Sequence, residues 1–177
     1  MHIRGQDVTG WPSYRIARLG VGYVPEGRQV FPNLTVRENL VATAANYGDA
    51  ADPWTEERVM GLFPRLAERA NQYARTLSGG EQQMVAVGRA LMTNPVLIIL
   101  DEATEGLAPL IREEIWQVLE TGLKAPGRAI LIIDKNPEVL ARIANRHYVM
   151  EKGMIVWSGD SAALRADEAM QHRYLGI

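Results

Sequence analysis

The chain has 177 residues, enough for one domain, and its 47% hydrophobic and 23% charged content is that of a globular protein able to bury a core. A formal net charge of −2 and the lack of any Lys/Arg cluster argue against nucleic acid and anionic lipid as partners. With no cysteine, disulfides, Cys-ligated zinc and Cys nucleophiles are excluded. No apolar run reaches the length of a membrane span, and no basic-then-apolar leader opens the chain. The expectation is a soluble intracellular protein that reaches a membrane, if it does, by docking onto something else.

In chain order, "GVGYV" (20–24) is the first short, β-branched run and predicts a strand. "TVRE" follows, with Thr35 as helix cap and Glu38 three residues on, a capping box before "NLVATAANYG". The region from Val36 to Thr76 is helical in pattern and polar, with "GDAADP" a loop by its turn chemistry, and predicts an inserted helical subdomain. "SGGE" repeats the capping box at Ser78 and Glu81, opening a helix expected to run to about Thr93 and stop before Pro95. "VLIIL" (96–100) is a second strand. "PLIREEIWQVLETGL" from Pro109 spaces Ile111, Ile115, Val118 and Leu119 on one helical face, with Leu123 following. "AILII" (129–133) is a third strand, and "PEVLARIA" a helix with Pro137 in its first turn. "HYVMEKGMIVWSG" (147–159) predicts an antiparallel pair turning at Lys152-Gly153. Apolar strands alternating with helices give an α/β fold: a mostly parallel sheet flanked by helices that cover both its faces.

Two stretches carry chemistry. The strand 96–100 runs into Asp101-Glu102, and ligands of open parallel sheets sit at the C-terminal ends of strands. Two carboxylates there suit Mg²⁺ and a water: Asp101 holding the metal, Glu102 accepting or orienting the water's proton. A strand that merely ends in acidic residues at a surface turn would read the same way. At "LSGGEQQ", Ser78 caps a helix whose first N–H groups point outward, and Gly79 and Gly80 let a phosphate approach the backbone at the positive end of the helix dipole. A well-capped core helix would share the pattern; the combination with the acidic strand end is what points to a nucleotide.

Taken together, "LSGGEQQ", "GRALMTNP" and "VLIILDEATEGLAP" resemble the nucleotide-binding domain of ABC transporters. The resemblance implies a P-loop NTPase-like ATPase core over 1–35 and 77–177, with the helical subdomain at about 36–76. Ser78, Gly79, Gly80, Glu81 and Gln82 match the signature motif that touches ATP, Val96 to Asp101 match Walker B, and Glu102 stands as the catalytic glutamate. "YVPEGRQVFPNLTVRENL" (23–40) matches the Q-loop region, with Glu26 where most members carry glutamine and still suited to Mg²⁺. "VPEGR…F", "GLAP" and the final "HRYLGI" are similar to the branched-chain amino acid transporter branch. The implied cofactors are ATP and Mg²⁺. The implied partners are a second nucleotide-binding subunit, facing head to tail, and transmembrane permease subunits. The implied location is the cytoplasmic face of the cell membrane.

Several positions depart from the family. No Gly-Lys pair occurs in the sequence, so the phosphate loop G-x-x-x-x-G-K-[ST], which members carry upstream of the segment matching "IRGQDVTGWP", is not in it. The expectation is a single partial nucleotide-binding domain that, by itself, binds ATP weakly, does not turn it over, and associates through uncovered apolar sheet. A degenerate subunit offering its signature helix in trans is the alternative. ABC ATPases of DNA repair share the motifs, but they interrupt the domain with long coiled coils, and 26–77 holds no sustained heptads. Lys135 takes the place of the switch histidine; it can meet a phosphate as a point charge but cannot accept a proton while charged. Ala108 and Ala103 replace the family's usual D-loop aspartate and the proline after the glutamate. His2, His147 and His172 show no ligand spacing and read as surface or structural. Trp116 reads as core.

Overall fold

The structure is a computed structural model and describes residues 1–122 and 128–176, with side chains at 1–120 and 128–176. Leu123, expected to extend the helix from Pro109, lies outside the described residues. Contacts divide the chain into two units, Met1–Ile133 and Asp134–Ile177.

The first unit opens with a short antiparallel pair, β1 (His2–Ile3) and β2 (Gln6–Asp7), and a helix α1 (Ser13–Ala17). Its centre is a parallel sheet of β3 (Val21–Val24), β4 (Leu97–Asp101) and β5 (Ala129–Ile133) in that order, with Val21 beside Leu97 and Leu97 beside Ala129. Between β3 and β4 come α2 (Val36–Val41), α3 (Glu56–Leu62), α4 (Pro64–Glu68), a single 3₁₀ turn at Ala74–Thr76, and the long α5 (Gly79–Leu91). Parallel neighbours need such crossovers, because a tight turn cannot return the chain to the same end. After β4, α6 (Pro109–Gln117) runs into a wider π turn, Val118–Gly122.

Both predicted capping boxes form. The Thr35 hydroxyl accepts from the Glu38 amide (3.2 Å) while the Glu38 carboxylate accepts from the Thr35 amide (2.7 Å). Yet α2 ends at Val41 rather than continuing through "ATAANYG". The Ala45 and Tyr47 amides turn away to the carbonyls of Met92 and Thr93, satisfying acceptors that the end of α5 leaves without intrahelical partners.

The core of this unit lies between α5 and the helical segment on one side and one face of the sheet on the other. Met84, Val85, Val87, Leu40, Val59, Val24 and Leu100 are fully covered, and Trp116 is 1% exposed. Gly88 lets the helices meet: a Cβ there would come within 2.8 Å of Leu40 and Val59. The alternate residues of the strands behave differently, with Tyr23, Leu131 and Ile133 respectively 54%, 47% and 42% exposed. The expectation that helices cover both faces of the strands therefore holds for one face. Among the described residues the other leaves Tyr23, Leu131 and Ile133 exposed, while α5 packs on the face of Gly22 and Val24, where a Cβ on Gly22 would lie 3.3 Å from the Ala90 carbonyl.

The second unit holds α7 (Pro137–Ile143), the hairpin β6 (His147–Glu151) and β7 (Met154–Gly159), α8 (Ser161–Ala166), α9 (Glu168–Met170) and a final π turn, Gln171–Leu175. The hairpin turns at Lys152-Gly153, both left-handed (φ 50° and 81°), as its two-residue loop requires. Ala141, Val149, Leu164 and Met170 form its core, with Trp157 packed against them and donating to Asp167 (3.1 Å). His147 is structural: its Nε2 meets the Ser161 hydroxyl at 2.8 Å, and that hydroxyl donates to the Ala144 carbonyl (3.0 Å). No described helix is long and apolar enough to cross a membrane.

Candidate functional site

The C-terminal end of β4 delivers Asp101 and Glu102 to different neighbours. Asp101, the last strand residue, is half-buried, and its Oδ2 accepts from the Tyr23 hydroxyl at 2.9 Å. That hydrogen bond, more than burial or the carboxylate's charge, pushes the Tyr23 phenol above its ordinary value. At Glu102 the backbone enters the left-handed region (φ 47°), while its amide still donates to the Ile133 carbonyl (2.9 Å). A non-glycine residue pays about 1 kcal/mol or more for that conformation. Here the twist sends the Glu102 side chain away from Asp101's direction and toward Glu26 and Glu105. Each of the three offers a carboxylate oxygen, all within 4.8 Å of one another. The Glu105 amide donates to the Glu102 carbonyl (3.1 Å), so one turn positions two of them, while Ala103 and Thr104 are buried beneath it.

Three carboxylates in that space repel each other, and an all-oxygen anionic set fits a hard divalent cation such as Mg²⁺. Of the two residues expected to hold a metal, Glu26 thus lies with Glu102, and the Asp101 carboxylate is engaged by Tyr23. Neither Glu105 nor Tyr23 was singled out in the sequence. Glu105 lies three residues past Glu102, inside "DEATEG", where turn geometry alone decides its direction; Tyr23 is 78 residues from its partner.

The start of α5 is built from its own hydrogen bonds. Glu81 Oε2 accepts from the Ser78 amide and the Ser78 hydroxyl, both at 2.8 Å, and the hydroxyl accepts from the Glu81 amide at 3.3 Å. Glu81 Oε1 pairs with Arg69 at 2.7 Å. Burial pushes the Glu81 carboxyl up, but the Ser78 hydrogen bonds and the Arg69 charge outweigh it and hold it below its ordinary value. Glu81 is therefore turned inward, only 7% exposed. Gln82 also turns back, its Nε2 donating to the Ala74 carbonyl (3.0 Å). Ser78 is exposed, and Gly79 and Gly80 are half-buried. Their amides precede the first intrahelical acceptor and have no helical partner.

The two glycines have a packing reason beside the expected one. A Cβ on Gly79 would meet the Arg28 guanidinium, and one on Gly80 would lie 2.5 Å from Ile111. Arg28 reaches that place from a tight turn in which Gly27, Arg28 and Gln29 all have positive φ (84°, 68° and 30°) and the Gln29 amide donates to the Gly27 carbonyl (2.8 Å). Arg89 of α5 holds the same segment, donating to the Gln29 carbonyl (2.6 Å) with its guanidinium 4.1 Å from the centre of the Phe31 ring. The stretch carrying Glu26 is thus anchored to both ends of α5. Lys135 follows β5 in the second unit, exposed, beside an Asp134 turn that caps the Asn136 amide (2.9 Å).

Comparison with known proteins bears on the family and the fold. Residues 1–105 match the family model described as ABC transporter. The chain is 43% identical over 173 residues to the high-affinity branched-chain amino acid transport ATP-binding protein BraG of Pseudomonas aeruginosa, covering 97% of this chain and 73% of that protein. It is 31% identical over 176 residues to the lipopolysaccharide export system ATP-binding protein LptB of Haemophilus influenzae, covering 98% of this chain and 73% of the relative. Among solved structures, an ATP-binding cassette of an ABC transporter in its ADP conformation superposes with a TM-score of 0.77 at 25% identity, over 99% of this chain and 76% of that one.

Proposed function

The chain belongs to the ABC transporter ATP-binding family, and on that premise we propose that it serves as the ATP-hydrolysing subunit of an importer for branched-chain amino acids, seated on the cytoplasmic face of the membrane against permease subunits. The observation that supports the chemistry is the left-handed turn at Glu102, which holds its carboxylate near that of Glu26 at the mouth of a parallel sheet. Glu102 orients a water for in-line attack on a terminal phosphate and takes its proton. Glu26 and Asp101 would hold Mg²⁺, with Glu105 beside Glu26 offering a further oxygen, and an ion so held would neutralise charge on the phosphates. Tyr23 keeps the Asp101 carboxylate oriented through its hydrogen bond.

The start of α5 serves a nucleotide held by a second subunit. Gly79 and Gly80 present N–H groups and, beside the exposed Ser78 cap, the positive end of a helix dipole to that charge. Glu81 and Gln82 support the tip from behind, Glu81 through the cap and Arg69, Gln82 through Ala74. Lys135 meets phosphate as a point charge. Closure of the two subunits around nucleotide, and their parting after hydrolysis, would drive the permease. Support for the branched-chain substrate comes from the similarity to BraG.

The self-contained hydrogen bonding at the start of α5 also suits a second reading, in which these residues supply only the signature helix in trans. Nucleotide binding separates the two. These residues alone are expected to bind a fluorescent ATP analogue only weakly, and micromolar affinity would overturn that reading. Mixed with a phosphate-loop-bearing ATP-binding subunit, they should raise its hydrolysis, and Ser78→Arg should remove the gain. A gain that survives Ser78→Arg would refute the role given to the helix tip.

A further inference from the structure

The turn that precedes Phe31 sets one cation apart. Arg28 is half-buried, and its backbone is left-handed (φ 68°) between Gly27 and Gln29, which are left-handed too. The turn is fixed in place: the Gln29 amide donates to the Gly27 carbonyl (2.8 Å), and Arg89 donates to the Gln29 carbonyl (2.6 Å). The side chain so placed reaches the start of α5, where a Cβ on Gly79 would lie 2.5 Å from the Arg28 Cζ. Among the described residues no hydrogen bond or ion pair engages this guanidinium. Arg69 and Arg89, which also meet α5, are both partnered, by Glu81 and by the Gln29 carbonyl.

That place is the wrong end of a helix for a cation. A helix N-terminus carries positive partial charge, and basic side chains stabilise the opposite end. The Gly79 and Gly80 amides, in the first turn of α5, have no acceptor among the described residues. The Ser78 amide and hydroxyl are already taken by Glu81, and Ile111 packs at Gly80. An arginine in a left-handed backbone and a cation set against the positive pole of a helix each cost stability. An anion lying between the guanidinium and the two amides meets all three unpaired groups at once.

We propose that Arg28 is a phosphate-contacting residue: with the Gly79 and Gly80 amides it grips the terminal phosphate of a nucleotide seated on the second subunit. The inference rests on the reading that the tip of α5 faces such a nucleotide, and it adds a side chain from outside the signature motif. One edge of the guanidinium and two amides suit the three oxygens of a terminal phosphate, whereas a carboxylate leaves a donor unmet. The loop then serves two charges. Glu26 in the acidic cluster and Arg28 at the helix tip are separated in the chain by Gly27 alone, so one turn carries a carboxylate of its own site and the cation offered to the other.

The test compares the intact chain with Arg28→Gly. Glycine suits a φ of 68°, so the melting temperature of this variant should hold or rise, which separates binding from folding. With the chain alone, nitrogen-15 labelled, sodium phosphate at constant ionic strength should move the assigned Gly79 and Gly80 amide signals saturably, with half-saturation below about 20 mM. Arg28→Gly should weaken that titration about fivefold or more, and Arg28→Lys less, since a point charge keeps the attraction and loses the fork. Sodium acetate should move the signals less than phosphate does. Mixed with a phosphate-loop-bearing ATP-binding subunit, Arg28→Gly should give about a tenth of the parent's gain in hydrolysis. Signals that stay put to about 100 mM phosphate, or an Arg28→Gly titration equal to the parent's, overturn the proposal. A full gain from Arg28→Gly where Ser78→Arg gives none overturns it too, and leaves the role of the helix tip standing. A gain that survives Ser78→Arg refutes the tip's role instead, and the phosphate titration then decides on Arg28 by itself. Should Arg28→Gly not fold, Arg28→Asn, which also tolerates a left-handed backbone, carries the same comparison.

Discussion

The end of β4 and the start of α5 are both polar, both near the surface, and built on opposite principles. At α5 the polar atoms of Ser78, Glu81, Gln82 and Arg69 are spent on one another, so the tip keeps its shape without help. At β4 a strained backbone brings the like charges of Glu102, Glu26 and Glu105 together. On the proposed function, the difference is that between a scaffold and a reaction centre. Residues that hold a shape stabilise the fold, and residues that do chemistry are gathered at some cost to it. Substitutions should therefore separate stability from activity along this line.

The largest expected effect is on rate. In the assembled transporter, Glu102→Gln should lower hydrolysis at least about 100-fold, as removal of a general base does, while the urea midpoint stays put or rises through relief of like charge. Parallel losses of rate and stability would erase the contrast. Next, Glu81→Ala removes a cap and strands Arg69, and should cost about 2 kcal/mol in urea unfolding. A loss under about 0.5 kcal/mol would mean that the cap does not hold the tip.

Acid should discriminate further. Glu81 has a folded value held below its ordinary 4.5, so its contribution is present above the unfolded value and lost as pH falls through the folded one. The acid limb of stability below about pH 4.5 should flatten in Glu81→Gln and persist in Glu105→Gln. In the second unit His147 is also held low, by burial first and Arg165 second, against Asp160. The unfolded chain then takes the proton first, and the stability of that unit should fall as pH drops below about 6.5, less steeply in His147→Gln. Smallest of all, 10 mM Mg²⁺ should raise the melting temperature by about 1–2 °C, a shift absent from Glu26→Gln.

The parts legible in the sequence were those decided by neighbours in the chain. The capping boxes at Thr35 and Ser78, Pro137 in a first turn, the Lys152-Gly153 hairpin and the three apolar strands all follow from spacing and local chemistry, and all are present. What escaped was set by distant residues. The Tyr23–Asp101 pair joins two strands that meet only once the sheet forms, and the Arg69–Glu81 pair joins two helices. The early end of α2 is dictated by carbonyls at the far end of α5. The strand pattern alone reads the sheet as covered on both faces, because an apolar strand announces that it prefers burial, not which partner supplies it. The expectation of uncovered apolar sheet comes from the family resemblance, and Tyr23, Leu131 and Ile133 are exposed.

Arg89 has a mechanical consequence. It ties the far half of α5 to the Gln29 carbonyl and Phe31, while Arg28 lies against the same helix at Gly79. The loop bearing Glu26 is in effect a strap buckled twice to one rod. These two contacts are the route by which a shift of α5 would reach Glu26 and the carboxylates beside it.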